Sequence, residues 1–388
     1  MNAIVSNNKA LLLLSIVLLT VLVHTSHVKC ALEVNLTDSY IYVKGSDFEV
    51  QISKVGGIIS YKLGGVVAVA KTSPYVRSSD KKYSKFITDF FAPVENPKVE
   101  KFEGGIRIIT HSKCDVPDHS LFLECITVYE VYESGAILVN HTIRAWKDTP
   151  YDYVAVRMRI TTDMYGGATF VGYLGTKKVL EIELPKEYPG KKTLSKTAFG
   201  IASVVMPNTK VSLLFVMINP PAPSKVEIWD ERKWKRPYFI SIIRVSGRTL
   251  PRKSLAEGDE GIITYLLFPH MRGEEFNSKA ISVLQKQTSV YDYIASIKEI
   301  AKSEKAKEAL AKAEELVNVV LKAVCMGEVD LASDYVNKAY EYARSAYRTE
   351  STLFGIRYIV IPLVAYFVVF AIIAWRLLKR YREMKIKS

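Results

Sequence analysis

The sequence predicts a mainly β protein in which a large antiparallel β-sandwich is followed by an α-helical stalk and one transmembrane helix. Three observations lead to this fold class. Short strand-like segments separated by Gly, Pro, Asn and Asp fill most of the chain before residue 279. Residues 290–349 contain no proline and a single glycine, and their apolar residues recur at helical spacing. Residues 358–375 form an apolar run of eighteen residues without a charged side chain.

Residues 1–30 have the pattern of a secretory signal peptide. Lys9 precedes an apolar run at 10–23, and Val28 and Cys30 occupy the −3 and −1 positions of a cleavage site that would follow Cys30. Retention of this segment as a second membrane span is the alternative. Cleavage would leave a mature chain whose N-terminus is outside the cell.

Residues 31–278 are predicted to form the β-sandwich ectodomain. Alternation is clearest in 152–161, where Val154, Val156 and Met158 alternate with polar or small residues, as expected of a strand with one buried face. Two smaller sandwiches with a break near 186–192 are the alternative. The predicted strands are 40–43, 48–52, 57–63, 104–110, 121–132, 136–146, 152–161, 210–218, 225–229, 238–245 and 261–268.

Residues 279–351 are predicted to form the helical stalk, either a three-helix bundle or an extended hairpin. Helices are expected over 289–303, 303–326 and 330–350, and Gly327 is suited to ending the second of them. The stalk would serve as a spacer that lifts the sandwich off the membrane. Alternatively, its stripe of alanines and tyrosines would dock a protein partner or a second copy.

Residues 352–375 are predicted to form the transmembrane helix, with a kink at Pro362. The tail at 376–388 carries six basic residues and one glutamate, and an excess of basic residues marks the cytoplasmic end of a span. The sequence thus predicts a single-pass type I protein of the plasma membrane. Its N-terminal domain would be extracellular and its C-terminus cytoplasmic.

The charge composition argues against a nucleic-acid partner. Of the net charge of +13, two units belong to the predicted signal peptide and five to the tail, which leaves six on residues 31–375. Six excess charges over so many exported residues do not form a nucleic-acid footprint. Glutamine is scarce beside abundant Lys and Glu, a bias that suggests a thermophilic, archaeal source.

The cysteines suggest one disulfide bond. Cys114 and Cys125 flank a turn-like segment in a compartment that is expected to be oxidising, and a bridge between them would close a short loop. A metal site using His111, Cys114 and His119 lacks a fourth ligand, so no metal is predicted. Cys325 falls in a helical stretch and is expected to be a packed free thiol.

Segment 228–239 is the best candidate for a ligand-binding surface. Aromatic rings there could stack on sugar faces, and fork-shaped donors could bind hydroxyls or carboxylates. The alternative is a hairpin loop that covers the end of the sandwich. The candidate residues of this segment are Trp229, Asp230, Glu231, Arg232, Trp234 and Arg236.

Arg157 and Arg159, on one face of a predicted strand, are the second candidate and would favour an acidic glycan. His141 and Trp146 are the third. The sequons at Asn35 and Asn140 are candidate glycosylation sites, which would place both residues at the surface.

Three segments carry a family resemblance: 40–65 with its strand and Gly-Gly turns, the hairpin at 127–146, and the closing segment 248–269. Together they resemble galactose-mutarotase-like β-supersandwich domains over roughly 38–270. Similar domains occur outside the membrane in insertases of the YidC type and in many carbohydrate-active enzymes. The resemblance implies a fold with a concave sheet face that commonly holds sugars; it does not imply catalysis.

Catalysis has little support in the sequence. Mutarotases use two histidines and a glutamate, but none of the histidines after residue 30 lies in a context like that of the family. These histidines are His111, His119, His141 and His270. No cofactor motif occurs either.

The leading hypothesis is therefore a membrane-anchored, non-catalytic protein that binds a glycan or glycoconjugate at the cell envelope. An extracytoplasmic scaffold that acts through protein contacts of the stalk is the alternative, and a sugar epimerase or hydrolase is the third hypothesis.

Overall fold

A computed structural model describes residues 32–78, 84–219, 225–245 and 254–387. The predicted signal peptide lies outside these residues. The described chain forms three layers: two antiparallel sheets packed face to face, and a helical bundle on the outer face of the second sheet.

The first sheet, sheet A, contains eleven strands among the described residues. These are β1 (Glu33–Leu36), β2 (Tyr40–Lys44), β3 (Phe48–Ser53), β4 (Gly57–Leu63), β5 (Val66–Ser78), β6 (Ser84–Phe86), β12 (Thr149–Thr161), β15 (Thr193–Lys196), β18 (Lys225–Asp230), β19 (Tyr238–Val245) and β20 (Ser254–Leu255). Their order is β1-β2-β3-β4-β5-β12-β19-β18-β15, with β6 beside β5 and β20 beside β12.

The second sheet, sheet B, contains ten strands in the same described ranges. These are β7 (Ala92–Pro93), β8 (Lys98–Phe102), β9 (Gly105–Lys113), β10 (Leu123–Tyr132), β11 (Ile137–Ala145), β13 (Thr169–Leu174), β14 (Lys177–Glu183), β16 (Ile201–Val205), β17 (Ser212–Asn219) and β21 (Glu260–His270). Their order is β14-β13-β16-β17-β21-β11-β10-β9-β7, with β8 beside β9.

Every strand predicted from the sequence is present. The alternation in β12 has the expected consequence, because Val154, Val156 and Met158 are at most 2% exposed in the core between the sheets. Strands on both sides of 186–192 join the same two sheets, so the chain forms one sandwich. The long strand β5 was not predicted, because its second half mixes Lys, Thr, Ser and Pro without regular alternation.

Five α-helices complete the described fold. They are α1 (Thr162–Tyr165), α2 (Gly273–Lys298), α3 (Glu304–Met326), α4 (Val329–Gly355) and α5 (Ile361–Lys387). Ser303 caps α3 by accepting a hydrogen bond from the Ala306 amide at 3.2 Å. Gly327 ends the same helix with a φ of +82°, a left-handed conformation that favours glycine.

Helices α2, α3 and α4 form a bundle whose interior contains the predicted alanine stripe. Ala332, Ala339, Ala343 and Ala346 of α4 are fully buried in the same apolar cluster as Val317 of α3. The alanines of the stripe are thus buried within the chain, whereas Tyr347 of the same stripe is 46% exposed. Small side chains at these positions allow α3 and α4 to approach closely, as in other helical hairpins.

The bundle packs on the outer face of sheet B, which differs from the predicted spacer. Leu266 and Phe268 of β21 share one apolar cluster with Ala280 and Leu284 of α2. Because the helix face and the sheet face are buried against each other, the bundle is part of the domain and not a separate stalk. Helix α2 begins at Gly273 and runs across the predicted boundary at 278.

A polar contact orders this interface between sheet B and the bundle. The Arg272 amide donates to Nδ1 of His270 at 3.2 Å, which leaves Nε2 as the donor to Asn277 Oδ1 at 3.0 Å. Asn277 in turn donates to Ser203 Oγ at 2.8 Å. Burial lowers the pKa of His270 to about 4, so the ring is neutral at physiological pH.

Helix α5 follows α4 through a π-helical turn at Ile356–Val360, which ends two residues before Pro362. Proline lacks an amide hydrogen and crowds the preceding turn, so the predicted irregularity at Pro362 takes the form of a π-turn. Within the described part of the chain, no helix combines the length and apolar character needed to cross a bilayer. The predicted transmembrane helix is therefore not confirmed.

The predicted disulfide between Cys114 and Cys125 is absent from the structure, in which both residues are buried free thiols. Cys125 lies opposite Ser112 in the β9–β10 ladder, and the Cys114 amide donates to the Leu123 carbonyl. The two cysteines are therefore diagonal neighbours. Diagonal positions on paired strands are about 7–8 Å apart, whereas disulfide-bonded Cβ atoms are about 4 Å apart.

A fully buried polar chain links the two sheets at His141. Thr127 Oγ1 hydrogen-bonds with His141 Nδ1 at 2.8 Å, and His141 Nε2 hydrogen-bonds with the Tyr265 hydroxyl at 3.2 Å. The Tyr265 hydroxyl also lies 3.3 Å from Thr72 Oγ1 of sheet A. Desolvation lowers the pKa of His141 to about 3, so the core holds a neutral imidazole.

The thiols of Cys114 and Cys125 should be unreactive in the native protein, because burial raises the pKa of each to about 12. Denaturation without reductant followed by iodoacetamide should alkylate both cysteines, as shown by peptide mass spectrometry. A sample reduced before alkylation is the control and should give the same peptides. A cross-linked peptide containing both cysteines in the unreduced sample would refute the free-thiol assignment.

His141 should make the protein less stable as the pH falls from about 7 to about 5. The unfolded histidine, with a pKa near 6.5, binds a proton in this range, whereas folded His141 does not. The contribution of neutral His141 to the free energy of unfolding is therefore fully present above pH 6.5 and declines below it. Between pH 7 and pH 5, this residue lowers the free energy of unfolding by about 2 kcal/mol. Urea unfolding at pH 7 and pH 5 should show that the free energy of unfolding falls by about 2 kcal/mol less in His141→Gln than in the wild type. Equal declines in the two proteins would exclude a neutral buried His141.

Candidate functional site

The structure brings together the two best candidate surfaces on the outer face of sheet A. Arg157 and Arg159 of β12 project away from the core, on the face opposite to sheet B. The segment 228–239 forms the end of β18, a 3₁₀ turn at Glu231–Trp234 and the start of β19. Because β19 lies between β12 and β18, the turn reaches the two arginines.

Glu231 is the centre of this cluster. Its side chain is 2% exposed, and its Oε2 lies 2.8 Å from Nε of Arg159. Nη2 of Arg157 is 3.7 Å from Oε1, and Nη1 of Arg236 is 3.8 Å from the same oxygen. A carboxylate this deeply buried needs cationic partners to offset its desolvation, and three guanidinium groups surround it.

Asp230 and Arg232 have a structural role in place of the predicted ligand contacts. Asp230 is fully buried, and both of its oxygens accept from the guanidinium of Arg232, the shortest contact being 2.6 Å. Arg232 also donates to the carbonyls of Pro185 and Glu187, at 2.8 and 3.1 Å, and to the Lys186 carbonyl. The pair thereby fixes the 3₁₀ turn to the segment after β14.

Trp229 and Trp234 form an aromatic corner beside the arginine cluster. Their ring centroids are 6.3 Å apart, and the ammonium group of Lys192 lies 4.3 Å from the Trp229 ring and 5.5 Å from the Trp234 ring. Trp229 packs on Ile240 of sheet A, whereas Trp234 is 44% exposed. The corner thus has one supported ring and one ring that faces solvent.

Two tyrosines that sequence reasoning missed hold the arginines from the sides. The guanidinium carbon of Arg157 lies 4.2 Å from the ring centroid of Tyr75, and that of Arg159 lies 5.7 Å from the ring of Tyr238. Cation–π contacts of this kind orient a guanidinium group without neutralising it. Tyr238 belongs to the segment already singled out, but nothing in the sequence pointed to Tyr75 of β5.

We name this group the arginine–tryptophan cluster. Its members are Tyr75, Arg157, Arg159, Lys192, Trp229, Glu231, Trp234, Arg236 and Tyr238. Flat rings beside fork-shaped cationic donors form a surface that can stack on a sugar ring and bind its oxygen atoms. The buried carboxylate holds the donors in place.

The two residues of the third candidate, His141 and Trp146, lie in different environments in the structure. His141 belongs to the buried chain between the sheets and does not reach the surface. Trp146 donates from its indole nitrogen to the Cys114 carbonyl at 3.0 Å, and Lys113 lies 4.0 Å from the centroid of its ring. These contacts explain Trp146 as a cover for the end of sheet B.

The four histidines in the described part of the chain lie in separate environments. His141 is in the core, and His270 is buried between sheet B and α2. His111 lies 2.6 Å from a carboxylate oxygen of Glu124 on β10. His119 lies in a short 3₁₀ turn at Pro117–His119.

The two sequons differ in exposure. Asn35 is exposed on the edge strand β1, as expected of a residue that could be glycosylated. Asn140 is half-buried on the outer face of β11, a central strand of sheet B. Its side chain is on the opposite face from His141, so a sugar on Asn140 would not meet that histidine.

Two surface grooves lie on the helices and not at the arginine–tryptophan cluster. One has a volume of about 620 Å³. Its lining residues include Lys286, Lys338, Tyr340 and Tyr342. The other, of about 720 Å³, lies where α4 leads towards α5. Its lining includes Ile300, Tyr347, Leu353 and Ile361.

No protein-family model matches the sequence, and neither does any curated protein. The solved structures that are similar include a galactose 1-epimerase from Lactobacillus acidophilus. It is 9% identical with a TM-score of 0.37, over 62% of this chain and all of the epimerase. A GalM/aldose epimerase homologue from C. elegans is 8% identical with a TM-score of 0.40, again over 62% of this chain and all of the homologue.

The GH36 alpha-galactosidase AgaB from Geobacillus stearothermophilus is also similar. It is 7% identical with a TM-score of 0.43, over 66% of this chain and 43% of the galactosidase. The structural neighbours therefore include aldose epimerases and galactosidases. With TM-scores below 0.5, these similarities carry no argument about activity, and the β-sandwich is established by the strand pairing described above.

Proposed function

We propose that this protein is a membrane-anchored, extracellular, non-catalytic receptor for a glycan or glycoconjugate of the cell envelope. The arginine–tryptophan cluster is its binding site. The observation that carries this proposal is the convergence of Trp229, Trp234, Arg157, Arg159 and Arg236 on one sheet face. These residues come from two separate segments, β12 and 228–239, which the fold brings together on one surface.

The binding mode follows from the geometry of the cluster. Trp234, which is 44% exposed, offers a flat face on which the apolar side of a sugar ring can stack. Arg236, which is 55% exposed, offers donors beside that face for ring hydroxyls. The Glu231 carboxylate is buried beneath Trp234 and Arg236, so it orients the arginines and does not itself contact the sugar.

A non-catalytic role agrees with the arrangement of acid–base groups. Opening or hydrolysing a sugar requires an acid and a base on either side of the reacting bond. In the described cluster, the carboxylate of Glu231 is held by arginines, and His111, His141 and His270 all lie elsewhere. An epimerase or hydrolase therefore has less support than a binding protein.

Membrane anchoring through residues 352–375 is supported by the surface of the last helix. From Ile359 to Trp375, the large apolar side chains are 47% to 67% exposed. Exposed apolar residues on every side of one helix are stable in lipid and costly in water. With the basic tail at the cytoplasmic end, the sandwich would face outward.

A scaffold role through the helices is the second candidate. The alanine stripe is occupied within the bundle, but tyrosines in the groove between α2 and α4 remain accessible. Tyr340 and Tyr342 are 38% and 40% exposed, and tyrosine is enriched at protein interfaces. A partner that binds there would meet the bundle on a face separate from the glycan site.

Replacing Trp234 by alanine should weaken glycan binding about tenfold, because a stacked aromatic ring contributes roughly 1–1.5 kcal/mol. The measurement is a glycan array with the full-length protein in detergent, followed by calorimetry with the best glycan. Tyr42→Ala is the matched control, since Tyr42 is 41% exposed on β2, away from the cluster. Absence of binding to every glycan by the folded protein would refute the proposed function. Equal binding by the wild type and Trp234→Ala would show that the glycan-binding site lies elsewhere on the protein.

Arginines in the last helix should release the protein from membranes. Each of the two substitutions in Val364→Arg/Val368→Arg should cost about 2.5–3.5 kcal/mol if the helix is in the bilayer. After alkaline carbonate extraction, the wild type should remain with the membranes and the double variant should become soluble. Val66→Arg/Val94→Arg, at valines of similar exposure in the sandwich, is the control and should stay with the membranes. Extraction of the wild type would exclude an integral anchor.

A further inference from the structure

An exposed apolar surface runs from the helical bundle onto the last helix. The groove of about 720 Å³ at the end of α4 has an apolar lining that includes Ile300, Leu353, Ile356 and Ile361, which are 47%, 44%, 45% and 57% exposed. Ile361 is the first residue of α5, so the groove passes directly into the exposed apolar side chains of that helix. Contiguous apolar surface of this kind marks a contact with another protein or with a membrane.

The α2–α3 turn contributes to this surface because the bundle holds it against the end of α4. Ile300 lies in the turn at residues 299–303, between α2 and α3. The Ser303 amide in the same turn donates to Oε1 of Glu350, in the last two turns of α4, at 2.6 Å. The turn is therefore fixed beside the point where the chain leaves the bundle. We call residues 299–303 and 347–356 the bundle base.

The length of the apolar stretch indicates where a bilayer around α5 would end. Trp375 is followed directly by the basic tail, and tryptophan and basic residues are typical of the cytoplasmic boundary of a span. Residues 356–375 number twenty, and as a helix they extend about 30 Å, the thickness of a hydrocarbon core. The outer boundary therefore falls near Ile356. Arg357, the one charged residue of this stretch, is then at a helix end, where a cationic side chain is tolerated.

This boundary places the bundle base in the headgroup layer. Leu353 precedes Ile356 by three residues, or about 5 Å along a helix, and the headgroup layer is about 5–7 Å thick on each side of the bilayer. Ile300 borders the same groove as Leu353 and Ile361. The exposed side chains of the turn and of the helix therefore lie at one level, where apolar groups reach the acyl chains.

The charged residues of the groove are compatible with this level. Its lining contains Glu299, Lys302 and Glu350. Glu350 is 9% exposed and bonded to the Ser303 amide, whereas Glu299 and Lys302 are exposed on either side of Ile300 and have opposite charges. Exposed charged groups at headgroup level stay hydrated while an apolar side chain between them faces the lipid. Lipid contact therefore needs no excess of positive charge here.

We propose that the bundle base is a second membrane contact, in which Ile300, Leu353 and Ile356 insert among the headgroups and upper acyl chains of the outer leaflet. This inference rests on the membrane anchor of the proposed function and goes beyond it. The bundle lies directly on the bilayer, in place of a spacer that would lift the sandwich away from it. Because a turn and a helix both contact the lipid, the tilt of the domain relative to the membrane is restricted.

The test uses the full-length protein in phosphatidylcholine vesicles. Ile300→Cys is labelled with the environment-sensitive dye nitrobenzoxadiazole, and Val368→Cys in α5 reports on the anchor itself. Leu331→Cys is the matched control, since Leu331 is 39% exposed and lies about 36 Å along α4 from Gly355. Wild-type protein treated with the dye gives the background from the native cysteines, of which Cys114, Cys125 and Cys325 are buried.

The label at Ile300 should have a blue-shifted emission in vesicles. It should also lose emission when the vesicles contain phosphatidylcholine with a nitroxide on its acyl chain, to an extent comparable with the label at Val368. The label at Leu331 should show neither change, because it is far from the proposed bilayer surface.

The outcomes distinguish the second contact from the anchor on which it rests. A quenched label at Val368 beside an unquenched label at Ile300 would overturn the second contact and leave the anchor. Absence of quenching at both positions would overturn both. A blue-shifted label at Ile300 that nitroxide lipids do not quench would show that protein covers the turn, and would also refute the lipid contact.

Discussion

The burial of sheet B on both of its faces is the constraint on which the rest of this structure depends. Its inner face packs on sheet A through the core that contains Val139 and Tyr265, and its outer face packs on α2 through Leu266 and Phe268. The bundle covers the part of this outer face that β16, β17 and β21 form, whereas Ile126 of β10 remains 40% exposed. The arginine–tryptophan cluster lies on the outer face of sheet A, on the far side of the sandwich from the bundle.

Two kinds of buried polar group occur in the described structure. In the core, His141 is neutral and satisfied by hydroxyl groups, because a charge there would have no compensating partner. On the outer face of sheet A, Glu231 is paired with arginines at a depth where water still reaches their edges. The first group links the two sheets, and the second holds cationic donors in fixed positions.

The arginine–tryptophan cluster depends on a short internal support. Asp230 and Arg232 look like ligand contacts in the sequence, since they lie between two tryptophans. In the structure they bind each other and the chain after β14, so they fix the turn that carries Glu231 and Trp234. Such a support allows the cluster to hold three arginines beside one carboxylate without rearrangement. Binding energy from a ligand would then not be spent on ordering the site.

The sequence by itself determined the β-sandwich, the helical region and several members of the candidate site. Period-two alternation in β12 and helical spacing in α3 and α4 are local patterns, and each reports which side of an element is buried. The tryptophans and arginines of 228–239 were also visible as a local concentration of suitable side chains. The three predicted helices were present as well, although α2 began earlier than its apolar spacing suggested.

Only the tertiary structure decided which surfaces meet. Arg159 and Glu231 are separated by 72 residues, and no local pattern indicates that β19 places them 2.8 Å apart. The strand register likewise places Cys114 diagonal to Cys125, so the predicted disulfide does not form in the structure. The alanine stripe of α4 indicated a docking face, but the fold supplied α3 as its partner. In each case the deciding contact lies between segments distant in the chain, and its geometry is a property of the packed layers.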